Sequence, residues 1–230
     1  MYCCSLRLIN LERAMKKPIE NIGHALSLDG SPEALKEYYA KWAQTYDADL
    51  VDKHHAPQVM ADLVMWQLRE LYPDKCLADF NVLDVGCGTG MLGVLLKQAG
   101  FVQLDGNDLS AEMIEKAQHS GAYRQLTANI DVNLDTHVQW NGHYDLVTCV
   151  GVFTLGHVMP ESLINMIRFA KPGGLIVTST RLAYYEQTHI QQVHDQLEAD
   201  GLATLIHSLK DAPYTNDSNG HFWVFQRIAL

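Results

Sequence analysis

The chain has 230 residues and a formal net charge of -10, with 47% apolar and 19% charged residues. This composition is typical of a globular domain and excludes a disordered chain. The acidic balance argues against a nucleic-acid partner, because nonspecific binding to nucleic acids depends on Lys and Arg that neutralise phosphates. No stretch of the sequence approaches the roughly 20 apolar residues of a membrane span, so no membrane partner is expected.

The five cysteines form no C-x-x-C pair, which argues against a disulfide framework and against a structural zinc site. The pair His54–His55 lacks the carboxylate or third ligand that a convincing metal site requires. The chain opens with a short apolar run followed by basic residues, the reverse of the order in a secretory signal. We therefore expect a cytoplasmic protein with no bound metal.

The first predicted element follows residues 1–30, which show no clear periodicity and are interpreted as an extension. Ser31 predicts a helix start, because its capping hydroxyl precedes Pro32 and an acidic first turn. A second helix is expected over residues 57–71, with apolar side chains on one face at 3.6-residue spacing. These side chains are Met60, Leu63, Val64, Leu68 and Leu71.

From residue 80 onward, short apolar runs alternate with helical segments. Strands are expected at 82–85, 101–104, 123–128, 145–150, 175–179, 203–208 and 221–227, and helices at 90–99, after Ser110, at 160–170 and at 186–199. Strands separated by crossovers of ten or more residues predict a parallel sheet with helices on both faces. The last two strands are close in sequence, so an antiparallel hairpin at one edge is expected.

The stretch "NVLDVGCGTGMLG" places Gly86, Gly88 and Gly90 at the end of the first strong strand, where open α/β sheets bind their ligands. A phosphate-binding Walker loop is excluded, because no lysine lies in the loop. The spacing G-x-G-x-G also departs from the dinucleotide fingerprint G-x-G-x-x-G. Asp84 beside the loop would repel a pyrophosphate, whereas it favours a ligand with a cationic centre.

Asp108, in "GNDLS", lies at the end of the second predicted strand. An acid at this position is placed to accept hydrogen bonds from two ribose hydroxyls. A nucleoside with a cationic amino-acid tail satisfies both this carboxylate and Asp84. S-adenosylmethionine is such a molecule.

Four motifs, "VLDVGCGTG", "GNDLSAEMIEKA", "YDLVTCVGVF" and "RFAKPGGLIV", resemble in order and spacing the class I S-adenosylmethionine-dependent methyltransferases. The resemblance covers about residues 36–230 and is closest to the small single-domain group around the Williams-Beuren region methyltransferase-like protein. It implies a Rossmann-like three-layer α/β sandwich, with a mostly parallel seven-stranded sheet, an antiparallel last strand and an N-terminal helical lid. The extension 1–30 would precede a methyltransferase domain at 31–230, with the lid and first helix at 31–72 and the core at 80–230.

The resemblance also implies roles for the glycine loop and the second strand. Gly86 and Gly88 would let the loop approach the methionine part of the cofactor, with Asp84 recognising its ammonium group. Cys87 lies in the same loop, where nothing nearby would make it a nucleophile. Asp108 would hold the ribose.

The adenine site is implied in the same way. Leu109 and Met113 would flank the adenine, and Ile130 would pack on the ring. Asn129 occupies the place of an acid that commonly contacts the adenine amino group in the family. Asp131 remains the alternative partner if the register differs by two residues.

The remaining candidates lie on the predicted lid and after the fourth strand. Tyr39, Trp42 and Tyr46 match the "Y-x-x-W-A-x-x-Y-D" helix that closes over the cofactor in related enzymes, although an aromatic stripe at this spacing is also typical of a core. Val150 would lie beside the cofactor tail. His157 follows the fourth strand, where it is either a general base or a residue with a structural hydrogen bond.

The implied reaction is in-line methyl transfer from S-adenosylmethionine to the O, N or S of a small-molecule acceptor, with S-adenosylhomocysteine as product. A small molecule is favoured because the sequence shows no added recognition domain. The alternatives are a cofactor-binding regulatory or scaffold domain without turnover, or methylation of a protein. A nicotinamide enzyme is disfavoured by Asp84 and by the glycine spacing. The protein is expected to be a monomer or a homodimer.

Overall fold

The computed structural model describes residues 20–229, which form a seven-stranded sheet flanked by helices. The strands are β1 (Asn81–Val85), β2 (Gln103–Asn107), β3 (Gln125–Thr127), β4 (Tyr144–Phe153), β5 (Ala170–Arg181), β6 (Ala203–Thr215) and β7 (Ser218–Arg227). Their order in the sheet is β3-β2-β1-β4-β5-β7-β6. Strands β1 to β5 pair in parallel, and β7 is antiparallel to both of its neighbours. The predicted fold class is confirmed, including the antiparallel last strand.

The helices lie on both faces of the sheet, and the first four precede its first strand in the chain. They are α1 (Glu20–Ala25), α2 (Pro32–Trp42), α3 (Tyr46–Leu50), α4 (Ala56–Leu71), α5 (Met91–Ala99), α6 (Ala111–His119), α7 (Ser162–Phe169), α8 (Leu182–Gln187) and α9 (Ile190–Ala199). The Ser31 hydroxyl accepts a hydrogen bond from the Ala34 N–H, and the Ser110 hydroxyl accepts one from the Met113 N–H. Both predicted caps are therefore confirmed. None of the helices within residues 20–229 has the length and apolarity needed to cross a membrane.

The core consists of two apolar layers on opposite faces of the sheet, because successive strand residues point to opposite faces. Leu146 of β4 packs in the layer with α4 and α5, whereas its neighbour Val147 packs in the layer with α7 and α9. Both side chains are fully buried. This explains why β4 reads as a continuous apolar run, as expected for a strand covered on both faces.

Several predicted boundaries were wrong for local reasons. The apolar run at 101–104 was expected to be a strand, but β2 begins only at Gln103, because Gly100 ends α5 in the left-handed conformation and Phe101 packs in the core before the strand starts. The helix expected at 186–199 is split into α8 and α9. Leu71, expected on the buried face of α4, is 41% exposed in the last turn of the helix.

The N-terminal elements pack against the loop that follows β4. Gly156 in that loop has φ +74°, and a Cβ there would lie 2.6 Å from the carbonyl oxygen of Leu28. The Tyr38 hydroxyl of α2 donates a hydrogen bond to the carbonyl of Asn21 in α1. The described part of the predicted extension therefore contains a packed helix, whereas residues 1–19 lie outside the described residues.

Candidate functional site

A pocket of about 780 Å³ opens at the carboxyl ends of β1, β2 and β4, which is the edge where open parallel sheets bind ligands. The predicted residues that line it are Tyr39, Tyr46, Gly86, Gly88, Asp108, Leu109, Met113, Ile130, Val150 and His157. Four predicted residues, Trp42, Asp84, Cys87 and Asn129, are not part of this wall.

The glycine loop after β1 brings its backbone to the pocket wall. Gly86 and Gly88 have φ of +66° and +56°, a region that side chains with a Cβ rarely adopt. A Cβ on Gly86 would lie 2.3 Å from the Cγ2 atom of Val152, whereas no atom lies within 4 Å of a Cβ on Gly88. Gly86 is therefore required by packing under the loop, and Gly88 leaves open space at the pocket.

Asp108 ties the glycine loop to the start of α6. Its Oδ2 accepts a hydrogen bond of 2.9 Å from the Gly88 N–H, and its Oδ1 accepts one of 2.8 Å from the Ser110 N–H. Burial raises the pKa of Asp108, and the backbone hydrogen bonds act in the opposite direction. Each carboxylate oxygen has two lone pairs, so both oxygens can still accept a hydrogen bond from a ligand hydroxyl.

Asn107, next to Asp108, is a pocket residue that the sequence analysis missed. Its side chain is fully buried, and its Oδ1 accepts a hydrogen bond of 3.3 Å from the Gly86 N–H. Its Nδ2 has no hydrogen-bond partner among the residues that the structure describes. Buried polar groups are nearly always partnered, so this amide fits a polar ligand atom in the pocket.

The predicted adenine wall lies next to Asp108. Leu109, Met113 and Ile130 provide its apolar surface. Asp131 lines the pocket, whereas Asn129 is exposed, has φ +61° and lies outside the wall. Of the two registers considered for the adenine partner, the structure therefore brings Asp131 to the pocket.

Asp84 lies under the glycine loop and does not reach the pocket wall. Its Oδ2 accepts a hydrogen bond of 2.8 Å from the Tyr123 hydroxyl, and its Oδ1 accepts one of 3.0 Å from the Thr148 hydroxyl. Burial raises the pKa of Asp84 to about 7. The expected contact with a ligand ammonium is therefore not formed by this placement, because the strand carries the carboxylate into the core.

Cys87 and Trp42 also face away from the pocket. Cys87 is buried with Ile114 and Ala117 of α6, and burial raises the pKa of its thiol. Trp42 packs in the cluster that joins α1, α2 and α3, and its Nε1 donates a hydrogen bond of 2.9 Å to Asp49. Both side chains hold neighbouring elements together, which the sequence pattern does not distinguish from a pocket contact.

Helices α2 and α3, which precede the sheet in the chain, cover the pocket. Tyr39 and Tyr46 line the pocket, and burial raises the pKa of both hydroxyls. The ring of Trp42 packs behind them, edge-on to Tyr46 at 4.6 Å. Asp47 in α3 accepts a hydrogen bond of 2.6 Å from the hydroxyl of Thr89 in the glycine loop. The cover is thus attached directly to the loop that it faces.

His157 joins the same cover to the loop after β4. Its Nδ1 lies 2.9 Å from the carbonyl oxygen of Leu155, so Nδ1 carries the proton and donates it. Its Nε2 lies 2.7 Å from the Tyr39 hydroxyl and accepts that hydrogen bond. Burial lowers the pKa of His157, so the ring is neutral near pH 7 with both nitrogens engaged.

A parallel sheet with a glycine loop after β1 and an acid after β2 defines a Rossmann-like nucleoside-binding domain. Residues 52–230 match the sequence model of a family described as a methyltransferase domain. The chain belongs to this methyltransferase family, whose methyl donor is S-adenosylmethionine. The family expected from the four sequence motifs is therefore confirmed. Among residues 20–229, no group of three or more His, Cys, Asp or Glu side chains is arranged to hold a metal ion.

Individual relatives agree with this assignment. The chain is 33% identical over 181 residues to human Methyltransferase-like protein 27, which covers 75% of the chain and 70% of that protein. It is 28% identical to the chloroplastic magnesium protoporphyrin IX methyltransferase of Arabidopsis thaliana, over 63% of the chain and 47% of that protein. Among solved structures, the magnesium protoporphyrin IX methyltransferase of Synechocystis PCC 6803 with bound SAM superposes with a TM-score of 0.56 at 22% identity, over 74% of the chain and 79% of that structure; this likeness concerns the fold.

Proposed function

We propose that the pocket holds S-adenosylmethionine and that the chain transfers its methyl group to a small-molecule acceptor. When bound, the cofactor supplies an electrophilic methyl group on a sulfonium centre. The observation that carries the proposal is the pairing of Asp108 and Asn107 at the pocket wall. There a carboxylate adjoins a buried amide whose nitrogen has no hydrogen-bond partner within residues 20–229. A ligand with adjacent hydroxyl groups and further polar atoms fits this combination.

The ribose, the adenine and the methionine chain of the cofactor each have a matching part of the wall. Asp108 accepts hydrogen bonds from the ribose hydroxyls, and Asp131 accepts one from the adenine amino group. The apolar adenine surface is Leu109, Met113 and Ile130. The methionine part lies along Gly86, Gly88, Tyr46 and Val150. With Asp84 held under the loop, we assign no ammonium contact to it.

The lid and first helix at 31–72 cover the core at 80–230 and exclude water from the pocket. Tyr39 and Tyr46 face the cofactor, and the Asp47–Thr89 and Tyr39–His157 hydrogen bonds hold the lid closed. A dry and ordered site is what this chemistry needs from the protein, because the methyl group is already activated. His157 acts as a positioning residue for Tyr39 in this proposal, since its Nε2 lone pair is engaged.

The acceptor is a small molecule. The name of the Arabidopsis relative, magnesium protoporphyrin IX methyltransferase, gives a small-molecule substrate for that protein. The net charge of -10 disfavours RNA or DNA as the acceptor. The protein works in the cytoplasm as a monomer or a homodimer in this proposal.

The test uses methyl-tritiated S-adenosylmethionine and the full chain, incubated with a cell extract divided into metabolite and protein fractions. We expect label in the metabolite fraction and none with an Asp108→Ala variant. Label only in the protein fraction would replace the proposal by protein methylation. Cofactor binding without any transfer would replace it by a regulatory or scaffold domain.

A further inference from the structure

A second cavity lies next to the pocket proposed for S-adenosylmethionine, which is called the donor pocket below. The lid and the ends of β5 and β6 contribute to its wall. It has about 410 Å³ of empty space, part of which is open to solvent, and it shares Tyr39, Tyr46, Gly151 and His157 with the donor pocket. Of these residues, Tyr46 belongs to the wall proposed for the methionine part of the cofactor. A molecule in this cavity would therefore adjoin the methionine part of the proposed cofactor site.

The cavity lining includes polar groups that have no partner among the described residues. Thr154 is 5% exposed, and its hydroxyl has no hydrogen-bond partner among the described residues. The Nδ1 atom of His54 is buried and likewise has no partner within residues 20–229. Both side chains line the cavity. Two unpartnered polar atoms in one small cavity are costly unless a ligand satisfies them.

Arg181 adds a positive charge to the same lining. Its Nη2 donates a hydrogen bond of 2.7 Å to the Ser218 hydroxyl, and its guanidinium lies 5.6 Å from the centre of the Tyr214 ring. No carboxylate forms an ion pair with it in the described part of the chain. A guanidinium has five N–H donors, so donors remain for a ligand. Burial lowers the pKa of both His54 and His157, and the charge of Arg181 lowers both further.

The rest of the cavity lining is largely apolar. It includes Ile22, Ala25 and Leu26 of the N-terminal helical segment, Leu50 of α3 and the Trp42 ring. The cavity thus combines a cation and hydrogen-bonding groups with an apolar lining. A protein of net charge -10 presents here a single positive charge that no acidic side chain of the described chain neutralises by an ion pair.

We propose that this cavity is the acceptor site and that it takes a small carboxylic acid with an apolar body. Arg181 and Thr154 bind the carboxylate, and the apolar body lies against the lid. One guanidinium matches the single charge of a carboxylate, whereas a phosphate dianion would need a second cation. This inference rests on the proposed function, because it concerns the partner of the methyl donor.

The test measures binding of paired probes to the full chain saturated with S-adenosylhomocysteine. The pairs are benzoate with benzamide, cinnamate with cinnamamide, and hexanoate with hexanamide, each titrated by calorimetry. The carboxamide keeps the shape of the acid and removes its charge. We expect at least one acid to bind at least tenfold more tightly than its amide.

Variants connect the preference to the cavity. Arg181→Gln abolishes the preference for the acid, and Arg181→Lys retains part of it. Thr154→Val weakens acid binding about tenfold without lowering the melting temperature, because it removes a hydroxyl that has no partner in the part of the chain that the structure describes. Arg168→Gln, a charge change on the exposed side of α7, leaves the preference unchanged and is the matched control.

The outcomes separate this inference from the proposed function. If the wild-type chain binds no S-adenosylhomocysteine, the proposed function fails and the inference fails with it. If it binds S-adenosylhomocysteine but responds equally to every acid and its amide, including no response to either, only the inference is overturned. Retention of the full preference in Arg181→Gln also overturns it.

Discussion

The hydroxyl of Tyr39 donates a hydrogen bond of 2.7 Å to the Nε2 atom of His157, which joins helix α2 to the loop after β4. The Nδ1 atom of the same ring donates to the carbonyl of Leu155, so the imidazole is held in one tautomer. A base needs a free lone pair within reach of the proton that it removes. Of the two roles that the sequence left open for His157, a general base or a structural hydrogen bond, this geometry favours the structural hydrogen bond.

Tyr39→Phe removes this fastening and leaves Nε2 of His157 buried without its partner. An unpartnered buried acceptor costs about 1–3 kcal/mol, so we expect a weaker closed state of the lid. Hydrogen exchange of residues 32–50 with S-adenosylhomocysteine bound should become faster, and kcat/KM should fall about fivefold or more. Tyr38→Phe is the control on the same helix, since its hydroxyl bonds to Asn21 and not to the site. Equal kcat/KM for wild type and Tyr39→Phe would contradict the role of this bond.

Asp84→Asn tests whether this buried acid serves the fold or the ligand. The pKa of Asp84 is raised by burial from 3.8 to about 7, so its folded form binds a proton more strongly than its unfolded form. The stability that this group contributes is present at low pH and is lost as the pH rises through about 7. The variant lacks this dependence. The difference in the free energy of unfolding, variant minus wild type, should therefore be more positive at pH 9 than at pH 5.

Cofactor affinity completes this test. We expect Asp84→Asn to change the Kd for S-adenosylmethionine less than about threefold, because Asp84 is not part of the pocket wall and sites without shared contacts couple weakly. Asp62→Asn, at an exposed acid on α4, is the control for the loss of one negative charge. Loss of cofactor binding in a folded Asp84→Asn protein would return the ammonium contact to this residue.

Gly86→Ala tests the packing under the glycine loop. The new Cβ would lie 2.3 Å from Cγ2 of Val152, and the left-handed backbone adds roughly 1–2 kcal/mol of strain. We expect a clear loss of unfolding free energy, part of which the double variant Gly86→Ala/Val152→Ala recovers because the clashing methyl is gone. Gly88→Ala should show only the backbone strain. Chemical denaturation measures all four chains, and no recovery in the double variant would contradict the packing explanation.

His194 provides a pH-dependent element outside the site. Neither of its ring nitrogens has a partner in the described chain, and burial between the rings of Trp223 and Phe225 lowers its pKa from 6.5 to about 4. A depressed His pKa means that stability is full above about 6.5 and is lost as the pH falls toward 4. The difference in the free energy of unfolding, His194→Leu minus wild type, should therefore be about 2 kcal/mol more positive at pH 5 than at pH 8. His119→Leu, at an exposed histidine, is the control for the loss of an imidazole, and equal pH profiles for wild type and His194→Leu would contradict this account.

The local features of the site were predictable from the sequence because each is contained in a few consecutive residues. The cap at Ser110, the loop at Gly86 and the acid at Asp108 are written in short motifs next to a strand, and the structure places them together at one edge of the sheet. The parallel sheet followed from the alternation of apolar runs and helical segments. The same patterns could not fix strand ends, since Phe101 belongs to the core but precedes β2.

Features that depend on distant packing could not be read in this way. The ring of Tyr123 lies under the glycine loop and holds Asp84 away from the pocket, yet nothing in the local sequence connects the two residues. Arg181, Thr154 and His54 belong to three separate parts of the chain, and all three line the second cavity. A motif reports its own neighbourhood, whereas these contacts join residues that are far apart in the sequence.

The most direct test of the central claim is calorimetric titration of S-adenosylmethionine into the wild-type chain and into Asp108→Ala, Asp108→Asn and Glu112→Gln variants. We predict that Asp108→Ala abolishes binding, because the ribose hydroxyls lose their acceptor and Gly88 loses its tie to α6. Asp108→Asn should weaken binding about 10- to 100-fold, as expected for hydrogen bonds to a charged group. Glu112→Gln, at an exposed acid in the first turn of α6, should bind like wild type. Unchanged affinity in a folded Asp108→Ala protein would contradict the proposed cofactor site.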